Sequence, residues 1–199
     1  MNPYADPAAR GYTRAFLDRF FDDDRPRTLV FGINPGRFGS GITGVTFTDP
    51  VALAEECAIP NALGRKRELS AEFVYRMIAA FGGPGEFYGR FFLTALSPLG
   101  FTAKGVNLNY YDQPDLQRRV TPFIVQSVEQ QIAMGGRTDH AVVLGIGKNA
   151  KYFEALNATH RWFGAVHALE HPRWIMQYRR KRVAEFAAKY VRTLRDIRP

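Results

Sequence analysis

The chain alternates short, continuous apolar runs with longer segments in which apolar residues recur at helical spacing. Four runs have the length and composition of buried strands: Thr28–Asn34, Phe91–Leu96, Ala141–Gly147 and Ala165–Leu169. Strands that are apolar throughout and alternate with helices are typical of a parallel sheet covered on both faces. The pattern therefore predicts an α/β fold of three layers, with helices on both sides of a central four-stranded parallel sheet.

Helical spacing and helix-start residues predict the elements between these runs. We expect helices over Pro7–Phe21, from Asp49-Pro50 onwards, over Ser70–Phe81, from Thr121-Pro122 to Ala133, around Tyr152–Leu156 and over Trp174–Ile197. A polar loop is expected at Asn107–Asp115. No repeat or linker interrupts the sequence, so we expect a single domain over residues 1–199.

Polar and glycine residues follow each predicted strand. The four strand ends carry Asn34-Pro35-Gly36, Ser97-Pro98, Gly145-Ile146-Gly147-Lys148 and His171-Pro172. Ligands of open parallel sheets bind outside the carboxyl ends of the strands. We therefore expect these groups to converge on one edge of the sheet, where the glycines and Lys148 could hold a single backbone phosphate.

The first of these segments continues into a glycine-rich loop that carries two aromatic rings, Phe38 and Phe47. Glycines such as Gly36 let a backbone approach a flat object closely, and Asn34 offers one amide. This combination suits a pocket for a planar heterocycle. The same residues equally fit an ordinary Gly/Pro loop with two core phenylalanines.

The net charge of the chain indicates a class of binding partner. The chain has 27 basic and 19 acidic residues, a net charge of +8 and a pI near 9.8, which favours a polyanion such as nucleic acid. Residues 172–199 hold nine basic and two acidic residues. Basic residues there are interleaved with flat ones, as a backbone clamp with a wedge into a base stack requires; the contributors are Arg173, Trp174, Arg179 and Arg180. A solvated helix face beside core aromatics is the alternative.

Other classes are disfavoured. The single cysteine, Cys57, excludes an internal disulfide framework and a multi-cysteine zinc site, and its apolar context predicts a buried residue in a helix. No signal-peptide pattern and no apolar run of membrane-spanning length occurs. We expect a cytoplasmic protein without a membrane segment, and a monomer.

Two motifs resemble those of the single-strand-selective monofunctional uracil-DNA glycosylases. The first is Gly32–Gly39 followed by Thr43–Phe47, and the second is His171-Pro172. Their order along the chain also fits, after the first strand and after the last. The resemblance implies the uracil-DNA glycosylase fold and hydrolysis of the bond between a damaged pyrimidine and deoxyribose in DNA, without metal, cofactor or covalent intermediate.

By position, the resemblance assigns Asn34 to orient the attacking water and His171 to donate a hydrogen bond to the base oxygen. Phe47 would stack on the flipped base, and the segment after Pro172 would fill the vacated stack. The base-binding residues expected are Ile33, Phe38, Phe47 and Thr94, and the DNA-binding residues expected are Gly36, Arg37, Lys148, Arg173, Trp174, Arg179 and Arg180.

Four residues depart from the family pattern. Arg37 stands in place of a proline, and Arg173-Trp174 replaces a Ser-Pro pair. Ala95 stands where the family usually has an asparagine that reads the edge of uracil; Thr94, Asn107 and Asn109 are the candidate substitutes. These departures concern the base that is recognised more than the reaction.

Two other functions compete with a base-excision glycosylase acting on uracil or an oxidised uracil. One is a nucleic-acid-binding module whose glycosylase site has decayed, which Ala95 would favour. The other is a hydrolase of free nucleosides or of another N-glycoside, against which the basic C-terminal segment argues, because a small substrate needs no such clamp.

Overall fold

The computed structural model describes residues 1–198. Its strands are β1 (Arg27–Gly32), β2 (Phe91–Ala95), β3 (Phe101–Ala103), β4 (Val106–Leu108), β5 (Gly136–Leu144) and β6 (Ala165–Leu169). Strands β3 and β4 form an antiparallel hairpin, whereas the other four form one parallel sheet in the order β2-β1-β5-β6. The predicted four-stranded parallel sheet is confirmed.

Helices cover both faces of this sheet. They are α1 (Pro7–Phe20), α2 (Ser40–Thr43), α3 (Pro50–Glu55), α4 (Leu69–Phe81), α5 (Pro84–Tyr88), α6 (Pro114–Ala133), α7 (Lys148–His160), α8 (Pro172–Tyr178) and α9 (Val183–Asp196), with 3₁₀ turns at Pro3–Ala5 and Arg180–Arg182. Helices α4, α8 and α9 pack on one face, and α6 and α7 on the other. The expected three-layer α/β/α fold is therefore confirmed.

Alternation along β1 divides the core between the two faces. Val30 packs with α4 and α8 on one side, while Leu29 and Phe31 pack with α6 and α7 on the other. All six residues of β1 are buried. Because β1 lies between β2 and β5, its carboxyl end at Gly32 is flanked by two strands and does not lie at a lateral edge of the sheet.

The start predicted for α6 at Thr121-Pro122 is wrong. The helix begins seven residues earlier at Pro114, whose missing N–H costs nothing in the first turn, and Pro122 lies inside it. Pro122 removes the hydrogen bond to the carbonyl of Arg118, but both residues lie toward the surface, so water can satisfy that carbonyl. Asp115, expected in a loop, belongs to the first turn of this helix.

The polar loop predicted at Asn107–Asp115 is also partly wrong, because Asn107 and Leu108 belong to β4. The hairpin turns at Lys104-Gly105, and both residues have positive φ (49° and 76°). Two-residue hairpin turns with positive φ at both positions match the twist of the flanking strands. Lys-Gly is a weaker sequence signal for this turn than Asn-Gly, so the pattern does not predict the hairpin.

Other boundaries differ more modestly. Helix α1 ends one residue before Phe21, β1 ends at Gly32, β5 begins and ends earlier than expected, and the sequence pattern does not predict the short helix α5. Cys57 lies beyond the end of α3 but is fully buried, as expected.

The helix predicted over Trp174–Ile197 is divided into α8 and α9. The break is at Arg179–Arg182, which includes the 3₁₀ turn, and both helices bury apolar residues in the same core cluster. None of the helices in the part of the chain described here is long and apolar enough to cross a bilayer.

Candidate active site

A cavity of about 90 Å³ opens at the carboxyl ends of β1, β2 and β6. The expected residues that line it are Ile33, Asn34, Gly36, Phe47, His171 and Arg173; Ser40, Thr46, Glu68, Ser70, Ala95, Asn107 and Asn109 also line it. A water molecule needs roughly 10–15 Å³ of such space. The cavity therefore has room for a small ligand, and the structure brings the two predicted catalytic side chains to it.

The amide of Asn34 is held at both ends by the segment Leu108–Tyr110, which begins at the last residue of β4. Its Nδ2 donates to the carbonyl of Leu108 (3.1 Å), and its Oδ1 accepts the backbone N–H of Tyr110 (3.0 Å). The oxygen keeps a second lone pair. Asn34 is thus a fixed acceptor that can orient a water molecule, and it has no means of taking a proton from it.

A buried chain of hydrogen bonds continues from this segment to the neighbouring strand. The hydroxyl of Tyr110 donates to Oδ1 of Asn149 (2.8 Å), and Nδ2 of Asn149 donates to the carbonyl of Leu144 (3.0 Å). Tyr110 and Asn149 are both almost completely buried. The position of Asn34 is therefore tied to the carboxyl end of β5 and to the start of α7.

The ring of Phe47 forms one wall of the cavity. Phe47 has a φ of 54°, a conformation that bulky residues rarely adopt. A Cβ on Gly32 would lie 2.8 Å from a ring carbon of Phe47, so the ring occupies space that only glycine leaves open. The ring centre lies 5.8 Å from that of His171.

His171 is a neutral hydrogen-bond donor. It caps α8, and its Nδ1 accepts the backbone N–H of Arg173 (3.2 Å), which places the proton of the neutral ring on Nε2. Burial, and to a smaller extent the charge of Arg173, lower the pKa of His171 to about 4. At neutral pH the ring therefore offers an N–H without carrying a charge.

Glu68 brings a carboxyl group into the same cavity. A Cβ on Gly36 would lie 3.0 Å from one of its oxygens, so the carboxyl lies against the loop two residues after Asn34. Burial raises the pKa of Glu68, and the Asp49 carboxylate raises it further, whereas the charge of Arg173 lowers it.

A model of the uracil DNA glycosylase superfamily matches residues 19–195. The chain belongs to the uracil DNA glycosylase superfamily. It is similar over 99% of its length, and 87% of the other chain, to the crystal structure of wild-type Pedobacter heparinus SMUG2, with 39% identity and a TM-score of 0.95. No curated protein sequence matches it. The family resemblance seen in the two motifs is confirmed.

In this glycosylase, basic residues and one exposed aromatic ring occur along α8 and directly after it. Arg179 lies over the ring of Trp174, 4.9 Å from its centre, and Trp174 is 38% exposed. Arg173 lines the cavity itself, and Arg180 lies 3.5 Å from Glu72. Of the four DNA-binding residues expected in this segment, Arg173 lines the cavity, and Trp174, Arg179 and Arg180 lie further along α8 or directly after it.

Phe38 lies outside the cavity of this superfamily member. The cations of Arg37 (4.5 Å from the ring centre) and Lys66 (3.7 Å) both lie over its ring, and Phe38 is 38% exposed. Thr94 is buried and does not line the cavity, because Ala95 does and successive strand side chains point to opposite faces. Lys148 is exposed at the first turn of α7, 5.9 Å from the ring centre of Tyr111.

The glycosylase site includes residues that the sequence pattern does not single out. Glu68 and Ser70 lie around the start of α4, where polar residues are common for capping alone, and Tyr110 and Asn149 act through contacts between distant segments. Among residues 1–198, no group of three or more His, Cys, Asp or Glu side chains is placed to hold a metal ion.

Proposed function

We propose that the protein is a monofunctional DNA glycosylase of base excision repair that removes uracil, or an oxidised uracil, from DNA. The observation that carries this proposal is the convergence of Asn34, Phe47 and His171 on one cavity at the strand ends. Membership of the uracil DNA glycosylase superfamily supplies the reaction class. The similarity to a structure named SMUG2 supports the same branch as the two motifs.

The size of the cavity favours a single base that has left the helix. A base stacked in a duplex cannot reach a site at the end of a buried strand, so the nucleotide has to be flipped out. The ring of Phe47 offers a stacking face, and the backbone near Ile33 and Phe47 borders the space where the base edge would lie.

Hydrolysis then depends on stabilising the leaving base. As the C1′–N1 bond breaks, its electron pair moves onto the base and negative charge develops on the carbonyl oxygen O2. The Nε2–H of His171 donates to that oxygen, and it does so without an initial proton transfer because the ring is already neutral. Asn34 orients the water that attacks C1′.

The α8 side of the cavity is proposed to hold the DNA. Trp174 is the exposed ring that fills the space left by the flipped base, and Arg173, Arg179 and Arg180 contact phosphates. Gly36, which lines the cavity, and Arg37 next to it would approach the DNA backbone, and Lys148 at the first turn of α7 would contact a further phosphate.

Recognition of the base edge differs from the usual family pattern at Ala95, whose methyl group makes no hydrogen bond. Asn107 and Asn109 both line the cavity. Nδ2 of Asn107 lies 3.6 Å from where a Cβ on Gly36 would be, and its Oδ1 accepts the N–H of Arg37 (3.4 Å). We propose that Asn107 supplies the amide that Ala95 lacks.

The test is excision from synthetic DNA. Single-stranded oligonucleotides with one uracil or one 5-hydroxymethyluracil are incubated with the protein, and abasic sites are cleaved with alkali. We expect cleavage with at least one of the two, and none with an unmodified oligonucleotide. Binding without cleavage of either would favour the binding module, and release only from free nucleosides would favour the nucleoside hydrolase. The cytoplasmic location and the monomeric state stay predictions.

A further inference from the structure

We propose that Glu68 is the general base that takes the proton from the attacking water, a role that rests on the proposed glycosylase function. Asn34 can orient water but cannot accept a proton, because an amide is a very weak base. The hydrolytic step nevertheless releases a proton. A carboxylate that reaches the same cavity is the group that can receive it.

The placement of Glu68 supports this role. One of its oxygens would lie 3.0 Å from a Cβ on Gly36, and the other would overlap a Cβ on Gly39, so the carboxyl is packed against the loop that begins with Asn34. Consecutive Cα atoms are 3.80 Å apart, so the Cα of Gly36 is at most about 8 Å from that of Asn34. Both side chains line the same cavity, so the space in which Asn34 would orient a water molecule is also bordered by the Glu68 carboxyl.

The backbone of Glu68 is fixed, whereas its carboxyl is free. Oδ2 of Asp49 accepts the N–H of Glu68 (2.7 Å), and the other oxygen of Asp49 accepts the N–H of Ala52 (2.8 Å). Within residues 1–198, the carboxyl oxygens of Glu68 accept no hydrogen bond from the protein. Asp49 is thus engaged in holding the chain, and Glu68 is available to a ligand.

The other polar groups of the cavity are less suited to accept the proton. Nδ1 of His171 is engaged by the N–H of Arg173, and its Nε2 carries the proton in the neutral ring. Both ends of the Asn34 amide are engaged by the backbone. Asn107 is an amide as well, and Ser70 is a hydroxyl, which is a weaker base than a carboxylate.

The step balances as follows. The C1′–N1 bond breaks and its electron pair leaves with the base, whose O2 accepts the hydrogen bond from His171. The water oxygen forms the new bond to C1′ and transfers one proton to Glu68. The products are the free base, as an anion that takes a proton from solvent, and an abasic deoxyribose; Glu68 then returns its proton to solvent.

The charges that face Glu68 set the pH range of this step. Asp49 on the α3 side raises its pKa, Arg173 on α8 lowers it, burial is the largest cause, and the net direction is upward. DNA phosphates add negative charge and raise it further. Since the base must be deprotonated, the rate should fall as the pH drops towards a pKa above that of an ordinary glutamate, about 4.3.

The experiment measures single-turnover excision from uracil-containing single-stranded DNA between about pH 5 and pH 8. Wild type is compared with Glu68→Gln and with Glu56→Gln, which removes the same charge from an exposed position at the end of α3, outside the cavity. We expect Glu68→Gln to be at least tenfold slower at neutral pH and to lose the acid limb, and Glu56→Gln to match wild type.

Chemical rescue distinguishes the loss of a catalytic carboxylate from a structural effect of the substitution. In Glu68→Ala, added formate should restore the rate several-fold, because a small carboxylate can occupy the vacated position. The role of Glu68 is overturned if Glu68→Gln stays within twofold of an active wild type. It is equally overturned if the variant is slow but keeps the acid limb and formate has no effect. A wild type that releases no base would overturn the proposed function and this role together.

Discussion

Among single residues, the hydrogen bonds of Asn34 and His171 fix which atom of each side chain can bind a ligand. The N–H of Arg173 at the start of α8 engages Nδ1 of His171, so Nε2 is the ring nitrogen left to donate to a ligand. The backbone around Tyr110 holds Asn34, so its oxygen is an acceptor of fixed direction. Because folding already fixes these orientations, neither side chain has to reorient when the transition state forms.

Replacing His171 with alanine should slow base release by about 10²- to 10³-fold, which is the usual cost of losing one donor to a developing oxyanion. Binding to DNA should change little, because the phosphate contacts remain. Single-turnover excision and fluorescence anisotropy measure the two effects. Equal excision rates for variant and wild type would remove His171 from the mechanism.

The pH dependence of the excision rate tests whether the pKa of His171 is lowered from that of an ordinary histidine. Its pKa of about 4 keeps the ring neutral above roughly pH 5, so no change in rate should arise from His171 between about pH 6 and pH 8. A pH profile of Glu68→Gln, in which the proposed base is absent, isolates this contribution. A transition near pH 6.5, the ordinary histidine value, that disappears in His171→Asn would contradict the lowered pKa.

Gly32 should be needed for the stacking face. A methyl group there would overlap the ring of Phe47, so Gly32→Ala should displace the ring and reduce excision at least tenfold. Gly11→Ala is the matched control, because a Cβ at Gly11 meets nothing within 4 Å. If Gly32→Ala excises uracil as fast as Gly11→Ala does, the ring of Phe47 is not the stacking surface.

At the scale of elements, the site is a junction between the hairpin segment, β5 and α7. Tyr110 joins them, since its N–H reaches Asn34 and its hydroxyl reaches Asn149. Because Asn149 also binds the carbonyl of Leu144, a shift of one element is passed to the amide of Asn34.

Tyr110→Phe should therefore affect stability and catalysis together. It leaves Oδ1 of the buried Asn149 without its donor, which costs about 1–3 kcal/mol of the free energy of unfolding, and it loosens Asn34. Urea unfolding and single-turnover excision measure the two effects. Tyr111→Phe is the control, since the Tyr111 hydroxyl makes no hydrogen bond within residues 1–198. Identical unfolding curves for the two variants would contradict the junction.

The elements that the sequence predicts are those whose signal is local. Continuous apolar runs locate the four strands of the sheet, and the rule for parallel sheets places Asn34 and His171 at one edge. Contacts between distant segments are not predictable in this way. No residue near Glu68 in the sequence indicates that its carboxyl reaches Gly36. Likewise, the sequence does not distinguish Phe38 from Phe47, whereas in the structure it is the ring of Phe47 that packs against Gly32.

At the scale of the whole molecule, positive charge is concentrated beside the site. Residues 172–199 carry nine basic and two acidic residues, and this segment begins at the rim of the cavity, directly after His171. A field of this kind attracts DNA and brings the wedge residue Trp174 to it.

Replacing Arg179 and Arg180 together with glutamine should weaken DNA binding and reduce its salt dependence. Removing one phosphate contact reduces the steepness of log K against log salt by about 0.9 for a duplex and about 0.7 for a single strand. Titrations at several salt concentrations measure the slope. Arg118→Gln, on α6, is the control and should leave the slope unchanged. An unchanged slope in the double variant would place the DNA elsewhere.

The most direct test of the account is the release of free base from single-stranded DNA that contains one uracil or one 5-hydroxymethyluracil, followed by chromatography of the products. Wild type should release the base from at least one of the two, and Asn34→Ala and His171→Ala should release it at least a hundredfold more slowly while both still bind the DNA. Release at the wild-type rate by both variants, or no release by folded, DNA-bound wild type, would contradict a glycosylase site built on Asn34 and His171.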